Sequence, residues 1–420
     1  MQQKLTDIVK TVASWLPVIG LLMLFTAMPY GWSWYQQICC WTLGLGYLLY
    51  VVVYQKWRDI RWDRSKWVYV IMLALFAMLP IRQLFDPHPP TAYYLWQVQC
   101  HVWFLYLGLA GILGFSDKLK LKYIAYVMLL TSAVMLAHCL FLYWCTKEGV
   151  GLSPLYRFDD LRWKHIHSHM VMNLYMNVAI IMGLYVLPSE RQWWRKILVG
   201  AGILCAFALI WLSIGRVGQI TSALVIMAYL VYRLYPVNKW LTVGSVAACI
   251  VLACITISQF SQDKFKPLND DPREAIWDYS FRMVQEKPIV GYGLSTLSEK
   301  YVEEAYQDST MLHGFIEPVI YTYPHFAAQG KTMQTHHPHN AFLMYWLAIG
   351  IGGLLLLIGL FVTACMVPMG KDKFYFGLIL AVIFIQCLTE PVGGHLLPQF
   401  IAFIIFVWEK THPIELYRKA

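Results

Sequence analysis

His339 to Thr363 reads HNAFLMYWLAIGIGGLLLLIGLFVT. No charged side chain follows His339 in this stretch, and it exceeds the roughly twenty residues a helix needs to cross hydrocarbon. A polar segment, residues 260–339, precedes it. The run therefore reads as a helix re-entering an apolar phase from a long water-facing loop. A histidine at that point is placed for proton transfer at a bilayer surface, since imidazole takes or holds a proton near neutral pH. Gly350, Gly352 and Gly353 let the re-entering helix pack closely on its neighbours.

The rest of the chain repeats the pattern. Of 420 residues, 59% are hydrophobic, 16% aromatic and only 14% charged, and mean hydropathy is +0.51. That apolar share exceeds the usual value for a soluble domain. The expected fold class is all-α, a polytopic membrane protein. Twelve spans are expected, near 12–30, 34–54, 67–84, 94–115, 123–144, 168–187, 197–214, 217–235, 241–259, 340–363, 375–391 and 397–409. The first apolar run leads into further spans without a small-residue cleavage site, so no cleavable signal peptide is expected.

Basic residues in the short loops set the orientation. Lys56, Arg58, Arg61, Arg64 and Lys66 lie in one loop, Lys118, Lys120 and Lys122 in the next on that side, then Arg191, Arg195 and Lys196. Lys371 and Lys373 fall on the same side, with Lys4, Lys10, Lys410, Arg418 and Lys419 near the ends. Both termini are expected to be cytoplasmic. The net charge of +9 is largely this topogenic charge, so no nucleic-acid partner is expected.

On the opposite side two loops are long, about 145–167 and 260–339. The second is large enough for a mostly helical cap. The expected organisation is one integrated domain: helices of residues 1–259, the loop 260–339, and helices of 340–420. Most cysteines sit in apolar runs, where they act as small hydrophobes. His165, His167, His169, His336, His337 and His339 have no accompanying carboxylate or cysteine pattern, so no metal is expected.

Three further features face the long-loop side. In Ser213-Ile214-Gly215-Arg216 the connection is a few residues, so Arg216 lies at the outer membrane boundary. Either it snorkels to headgroups or it is kept for a partner; the small neighbours Ser213, Gly215 and Gly218 suit a crowded interior. In Asp271-Pro272-Arg273-Glu274, a capping aspartate, a first-turn proline and a glutamate start a helix, which Pro288 should end. Trp277, Phe281 and Val284 form its expected apolar stripe, with Arg273 on that stripe and Arg282 opposite. Arginine in a first turn opposes the helix dipole and fits either an anion site or a surface ion pair. In Lys287-Pro288-Ile289-Val290-Gly291-Tyr292-Gly293, two glycines around an aromatic form a tight turn, which is no dinucleotide fingerprint.

Taken in order, Arg216 in a short turn, Arg273-x-x-x-Trp277, Lys287-Pro-x-x-Gly-Tyr-Gly293 and His339-Asn340-x9-Gly350-x-x-Gly353 resemble the O-antigen ligase family. That family shares the pattern with O-antigen polymerases and bacterial protein O-oligosaccharyltransferases. The resemblance implies a membrane-embedded (GT-C-type) glycosyltransferase of the bacterial inner membrane, inverting, metal-independent and without a cofactor. It would move a glycan from undecaprenyl diphosphate to a lipid A-core acceptor on the periplasmic face. Carried over residue by residue, the family's essential arginines fall on Arg216 and Arg273 and its histidine on His339. Asn340, Trp277 and Tyr292 are expected to contact substrate.

The residue chemistry agrees with that assignment. A lipid diphosphate leaving group needs cations as its bond to the sugar breaks, and arginine offers bidentate contacts. The attacking hydroxyl needs a base or an orienting group, which His339 can be. A polymerase or a protein O-glycosyltransferase on the same scaffold stays open. A flippase is disfavoured, because transporters of that kind carry repeats and midplane charges that this chain lacks.

Overall fold

The computed structural model describes residues 2–29, 33–58, 60, 62, 64–146, 169–213, 215–260, 273–302, 304–317 and 337–389. Among them there is no β-strand; the elements are helices joined by short turns. They are α1 (Gln2–Ala27), α2 (Ser33–Val53), α3 (Lys66–Gln83), α4 (Ala92–Leu113), α5 (Leu121–Thr146), α6 (His169–Val186) and α7 (Trp193–Leu212). Next come α8 (Arg216–Leu234), α9 (Lys239–Phe260), α10 (Arg273–Glu286), α11 (Leu294–Val302), α12 (Ala341–Ile349), α13 (Ile351–Met366) and α14 (Lys373–Thr389).

Among the described residues seven helices, α1, α2, α3, α5, α6, α7 and α8, are long and apolar enough to cross a membrane. Backbone hydrogen bonds closed within each helix are what hydrocarbon demands of a spanning segment. The helix α4 is as long but carries Gln97, Gln99 and His101 and is not among the seven. The apolar helices α13 and α14 are shorter. The expected twelfth span, 397–409, lies outside the described residues, as does the loop 147–168.

At the centre stands α6, the most deeply buried of the spanning helices, packed on α5, α7, α8 and α14. Tyr175 on α6 donates its hydroxyl to the Phe25 carbonyl on α1 at 2.7 Å. The outward faces are rich in exposed Leu, Ile and Val, the composition a lipid-facing surface tolerates without penalty. Exposed tryptophans Trp57, Trp62, Trp67, Trp193, Trp194 and Trp240 cluster near the basic loops, as expected of rings at a headgroup boundary.

Opposite the basic loops lie the helices of the 260–339 segment. There α10 packs on α12, and α11 on α4 and α12. After α11 come a 3₁₀ turn (Glu304–Tyr306), a short helical turn (Ser309–Met311) and a π turn (Leu312–Ile316). The expected end of the Arg273 helix before Pro288 is observed, with the last helical residue at Glu286. Asp271 and Pro272 lie outside the described residues.

The expected tenth span, 340–363, is corrected. It is two helices broken at Gly350, whose φ of +81° is open to glycine and strained for other residues. The break is filled by the turn after α10. Tyr292 N–H donates to the Leu347 carbonyl at 2.7 Å and Gly293 N–H to Ala348 at 3.0 Å, while Ile351 N–H donates to Pro288 at 3.0 Å. The helix end therefore satisfies its orphan carbonyls and amide through another segment's backbone. One end of α12 touches the last residues of α14, where Asn340 Nδ2 donates to the Leu388 carbonyl at 3.0 Å. The other end meets Ile289 and Val290. At the break the chain turns back, so that α12 packs on α13: a β-carbon on Gly353 would stand 2.7 Å from the Tyr345 carbonyl oxygen, and the Phe342 and Phe361 rings lie 6.0 Å apart.

A β-carbon at position 350 would stand 2.0 Å from the Ile289 carbonyl oxygen. Gly350→Ala is expected to cost about 2–3 kcal/mol, from left-handed strain together with a backbone shift. Thermal unfolding of purified protein in detergent checks this; an unchanged midpoint would contradict the broken-helix geometry.

Candidate active site

The site is built around the start of α12. Asn340 is its cap: Oδ1 accepts from Leu343 N–H at 3.0 Å while Nδ2 holds Leu388. These two bonds use one amide hydrogen and one lone pair of Asn340. His339 comes one residue earlier at φ +50°. A side chain other than glycine in that region is strained unless its surroundings hold it. Those surroundings are visible. The His337 ring meets His339 edge-on at 4.5 Å and the Phe315 ring lies at 6.4 Å. Trp277 on α10 donates its indole N–H to the Pro338 carbonyl at 3.0 Å. Phe315 belongs to the π turn, and a β-carbon on its neighbour Gly314 would touch Ala275. Three segments of the cap therefore close on His339: the π turn, the first half of α10, and the stretch 337–340.

From below, α12 is pinned by a histidine that sequence reasoning did not single out. His101 on α4 is buried; its Nδ1 lies 2.7 Å from the Gln97 carbonyl and its Nε2 2.6 Å from the Tyr345 hydroxyl. A carbonyl only accepts, so Nδ1 carries the proton and Tyr345 donates to Nε2. A second strand of contacts runs beside it, with Gln97 Nε2 donating to the Tyr93 hydroxyl at 3.0 Å. Polar side chains in a membrane-facing bundle are costly unless paired. Here they pair across the interface that carries the histidine loop.

The Arg216 turn is positioned from α6. Ser213 Oγ donates to Asn173 Oδ1 at 2.9 Å, and Asn177 Nδ2 donates to the Gly218 carbonyl at 3.2 Å. Gln219 Nε2 reaches back to the Ser213 carbonyl at 2.9 Å. Asn173 and Asn177 are both buried. A β-carbon on Gly218 would meet the Asn173 side chain at 2.5 Å, so only glycine lets α8 approach α6 this closely. Arg216 is the first residue of α8, after the cap residue Gly215. Its side chain lies outside the described ones.

Arg273 opens α10 and is half-buried. The buried face is not the expected stripe. Ala275, Ile276, Tyr279, Ser280, Met283 and Val284 are buried, whereas Phe281 is half-exposed and Trp277 sits at the margin. Small Ala275 and Ser280 let α10 approach Gly314 and Tyr301 closely. Counted at 100° per residue, Arg273 shares the side of Ile276, Ser280 and Val284, and Arg282 is opposite. Arg282 is tied on that far side, to Asp278 at 3.1 Å and to Asp308 at 2.7 Å.

Asp308 also caps the following turn, accepting from Met311 N–H at 3.0 Å. The guanidinium of Arg282 holds its carboxyl below the usual range. A lowered folded value stabilises above the ordinary carboxylate range and is lost as pH falls through it. Arg282→Ala is expected to leave glycan transfer within about twofold while removing about 0.5–1 kcal/mol of stability, as for a half-exposed ion pair. Unfolding followed from neutral to acidic pH checks this, with the gap between the two proteins closing as Asp308 protonates. Activity lost to the same degree as in Arg273→Ala would contradict the two-face assignment.

Tyr292, expected to contact substrate, has a buried ring, and its hydroxyl bonds to the Glu286 carboxylate beside the Met283 carbonyl. Lys287 and Lys300 lie over its faces at 4.7 and 5.2 Å. It pins the turn to α10. Burial, and then the Glu286 carboxylate, push its phenol well above the usual value. Trp277, with its N–H given to Pro338, supports the histidine loop. His165, His167 and His336 lie outside the described residues, and of His169 only the backbone, which starts α6, is described.

The residues sequence reasoning passed over are His101, Gln97, Asn173 and Asn177. Each was a polar residue within an apolar run, and that was the available signal.

Residues 175–358 match the family described as O-antigen ligase. No curated protein matches the chain. The matched segment begins in α6, contains the Arg216 turn, α10, the turn 287–293 and α12, and ends in α13. Over that segment the chain is similar to the O-antigen ligase family.

Proposed function

We propose that the protein is an O-antigen ligase of the bacterial inner membrane, with twelve spans of GT-C type, both termini cytoplasmic and the cap periplasmic. It transfers a glycan from undecaprenyl diphosphate to a lipid A-core acceptor. The observation that carries this reading is the hydrogen bond from Trp277 to Pro338. It ties a residue one helical turn from Arg273 to the residue next to His339. Cation and base then serve one reaction, with Arg216 brought in on the asparagine-supported turn of α8.

In the reaction the acceptor hydroxyl oxygen attacks the anomeric carbon from the side opposite the diphosphate. The bond from that carbon to the phosphate oxygen breaks, and undecaprenyl diphosphate leaves with the electron pair. The hydroxyl proton passes to the His339 imidazole. Arg216 and Arg273 hold the growing negative charge with charge-assisted hydrogen bonds, the task a metal ion performs elsewhere. Attack from the opposite face inverts the anomeric centre.

The lipopolysaccharide gel profile of a deletion strain tests the assignment. Loss of all long bands with the core intact is expected. A core carrying one repeat would make the protein a polymerase, and an unchanged profile with an unglycosylated periplasmic protein would make it a protein O-oligosaccharyltransferase.

A further inference from the structure

The turn Lys287–Gly293, which fills the break at Gly350, has a second anchor. Arg82 lies in the last turn of α3. Its Nε donates to the Val290 carbonyl and its Nη2 to the Gly291 carbonyl, both at 2.9 Å. Its Nη1 is buried without a partner, and among the described residues no carboxylate pairs with it. The guanidinium is thus used as a fork on two successive carbonyls, a geometry lysine cannot reproduce. Next to it, Gln83 Oε1 accepts from Ser295 Oγ at 2.9 Å and Asp86 accepts from Thr296 Oγ1 at 2.6 Å. The end of α3 therefore grips the turn and the start of α11 together.

We propose that Arg82 is a positioning residue for glycan transfer. It locks the turn into the break between α12 and α13 and so fixes the angle at which α12 carries Asn340 and His339. The proposal rests on the function proposed above. The broken helix needs the turn for the Leu347 and Ala348 carbonyls and the Ile351 amide. The turn needs donors for its own Val290 and Gly291 carbonyls, and Arg82 supplies both. A charged donor makes these bonds stronger than neutral ones.

The break is also a pivot. A tilt of about 5° there moves the far end of a nine-residue helix, about 13 Å long, by about 1 Å. A displacement of that size costs roughly a hundredfold in an aligned reaction. The ties at Tyr345, Asn340 and Pro338 resist the tilt, so the expected loss is about tenfold to a hundredfold.

The test uses purified full-length protein in nanodiscs, as wild type, Arg82→Lys and Arg82→Ala. Amide hydrogen exchange at Tyr292, Gly293, Gly350 and Ile351 is read beside turnover and donor KM. In Arg82→Ala these amides are expected to exchange faster while those of α6 stay as in wild type. Turnover is expected to fall about tenfold to a hundredfold with donor KM within about threefold. Arg82→Lys should fall between, because an ammonium serves one carbonyl well.

Unchanged exchange in Arg82→Ala would overturn the proposal, as would faster exchange with unchanged turnover or full rescue by lysine. Faster exchange throughout α6 would reduce Arg82 to general stability, and a loss confined to donor KM would make it a donor contact; either result also overturns it. Absence of transfer by the wild-type protein would fail the function proposed above, and the exchange data would still decide whether Arg82 holds the turn.

Discussion

His339→Asn is expected to abolish glycan transfer while leaving the protein folded. Asparagine is the informative replacement because His339 sits at φ +50°. Asparagine tolerates the left-handed region, whereas alanine would add strain and confuse a lost base with a moved loop. Loss of a general base costs about 10²–10⁴-fold in rate. Because Pro338 and Asn340 hold the backbone on either side, the rest of the site should stay in place. His337→Asn is the companion. Its ring packs on His339 at 4.5 Å, so it should lower turnover by about tenfold or less, the effect of a positioning contact. Complementation of a ligase-null strain with each variant, read by lipopolysaccharide gel, checks both. Substantial activity in His339→Asn would remove the imidazole from the mechanism.

Arg273→Ala and Arg216→Ala carry the second large effect. In the proposed reaction each removes a charge-assisted contact to a diphosphate held away from water, at an expected cost of about 2–5 kcal/mol, or roughly thirty- to several-thousandfold in kcat/KM. Lysine at either position keeps the charge but not the fork, so partial recovery is expected. Arg216 follows a turn held by Asn173 and Asn177, so Arg216→Ala should leave α8 in place and membrane yield unchanged. Near-wild-type transfer by either alanine variant would show that the diphosphate is bound elsewhere.

Much of this fold could be read from the sequence, because hydrocarbon permits so few structures. The described helices α1 to α9 fall close to nine of the expected spans, since a charge-free run of that length has little alternative to a helix. The Arg273 helix was legible from its start and from Pro288. The break at Gly350 was not. Gly350, Gly352 and Gly353 all read as packing glycines in an apolar run, and hydropathy carries no information about φ. What distinguishes Gly350 is the approach of Ile289, more than sixty residues earlier in the chain. The Lys-Pro-x-x-Gly-Tyr-Gly motif read only as a tight turn for the same reason. Its role lies in backbone hydrogen bonds to α12, which side-chain chemistry does not announce. The buried face of α10 was misjudged because large apolar residues were weighted over Ala275 and Ser280, whose small size is what permits contact. Arg216, Arg273 and His339 could be proposed from the sequence because a cation at a membrane boundary, a cation in a first helical turn and an imidazole at a re-entry point are each costly or reactive enough to need a reason.

The most direct measurement is transfer by the purified protein in nanodiscs, supplied with undecaprenyl diphosphate-linked glycan and lipid A-core in the presence of EDTA. The account predicts glycan-bearing lipid A-core with an inverted anomeric centre, one undecaprenyl diphosphate released for each transfer, and no product with His339→Asn. Activity lost to EDTA and restored by a divalent cation, or retained configuration at the anomeric carbon, would contradict it.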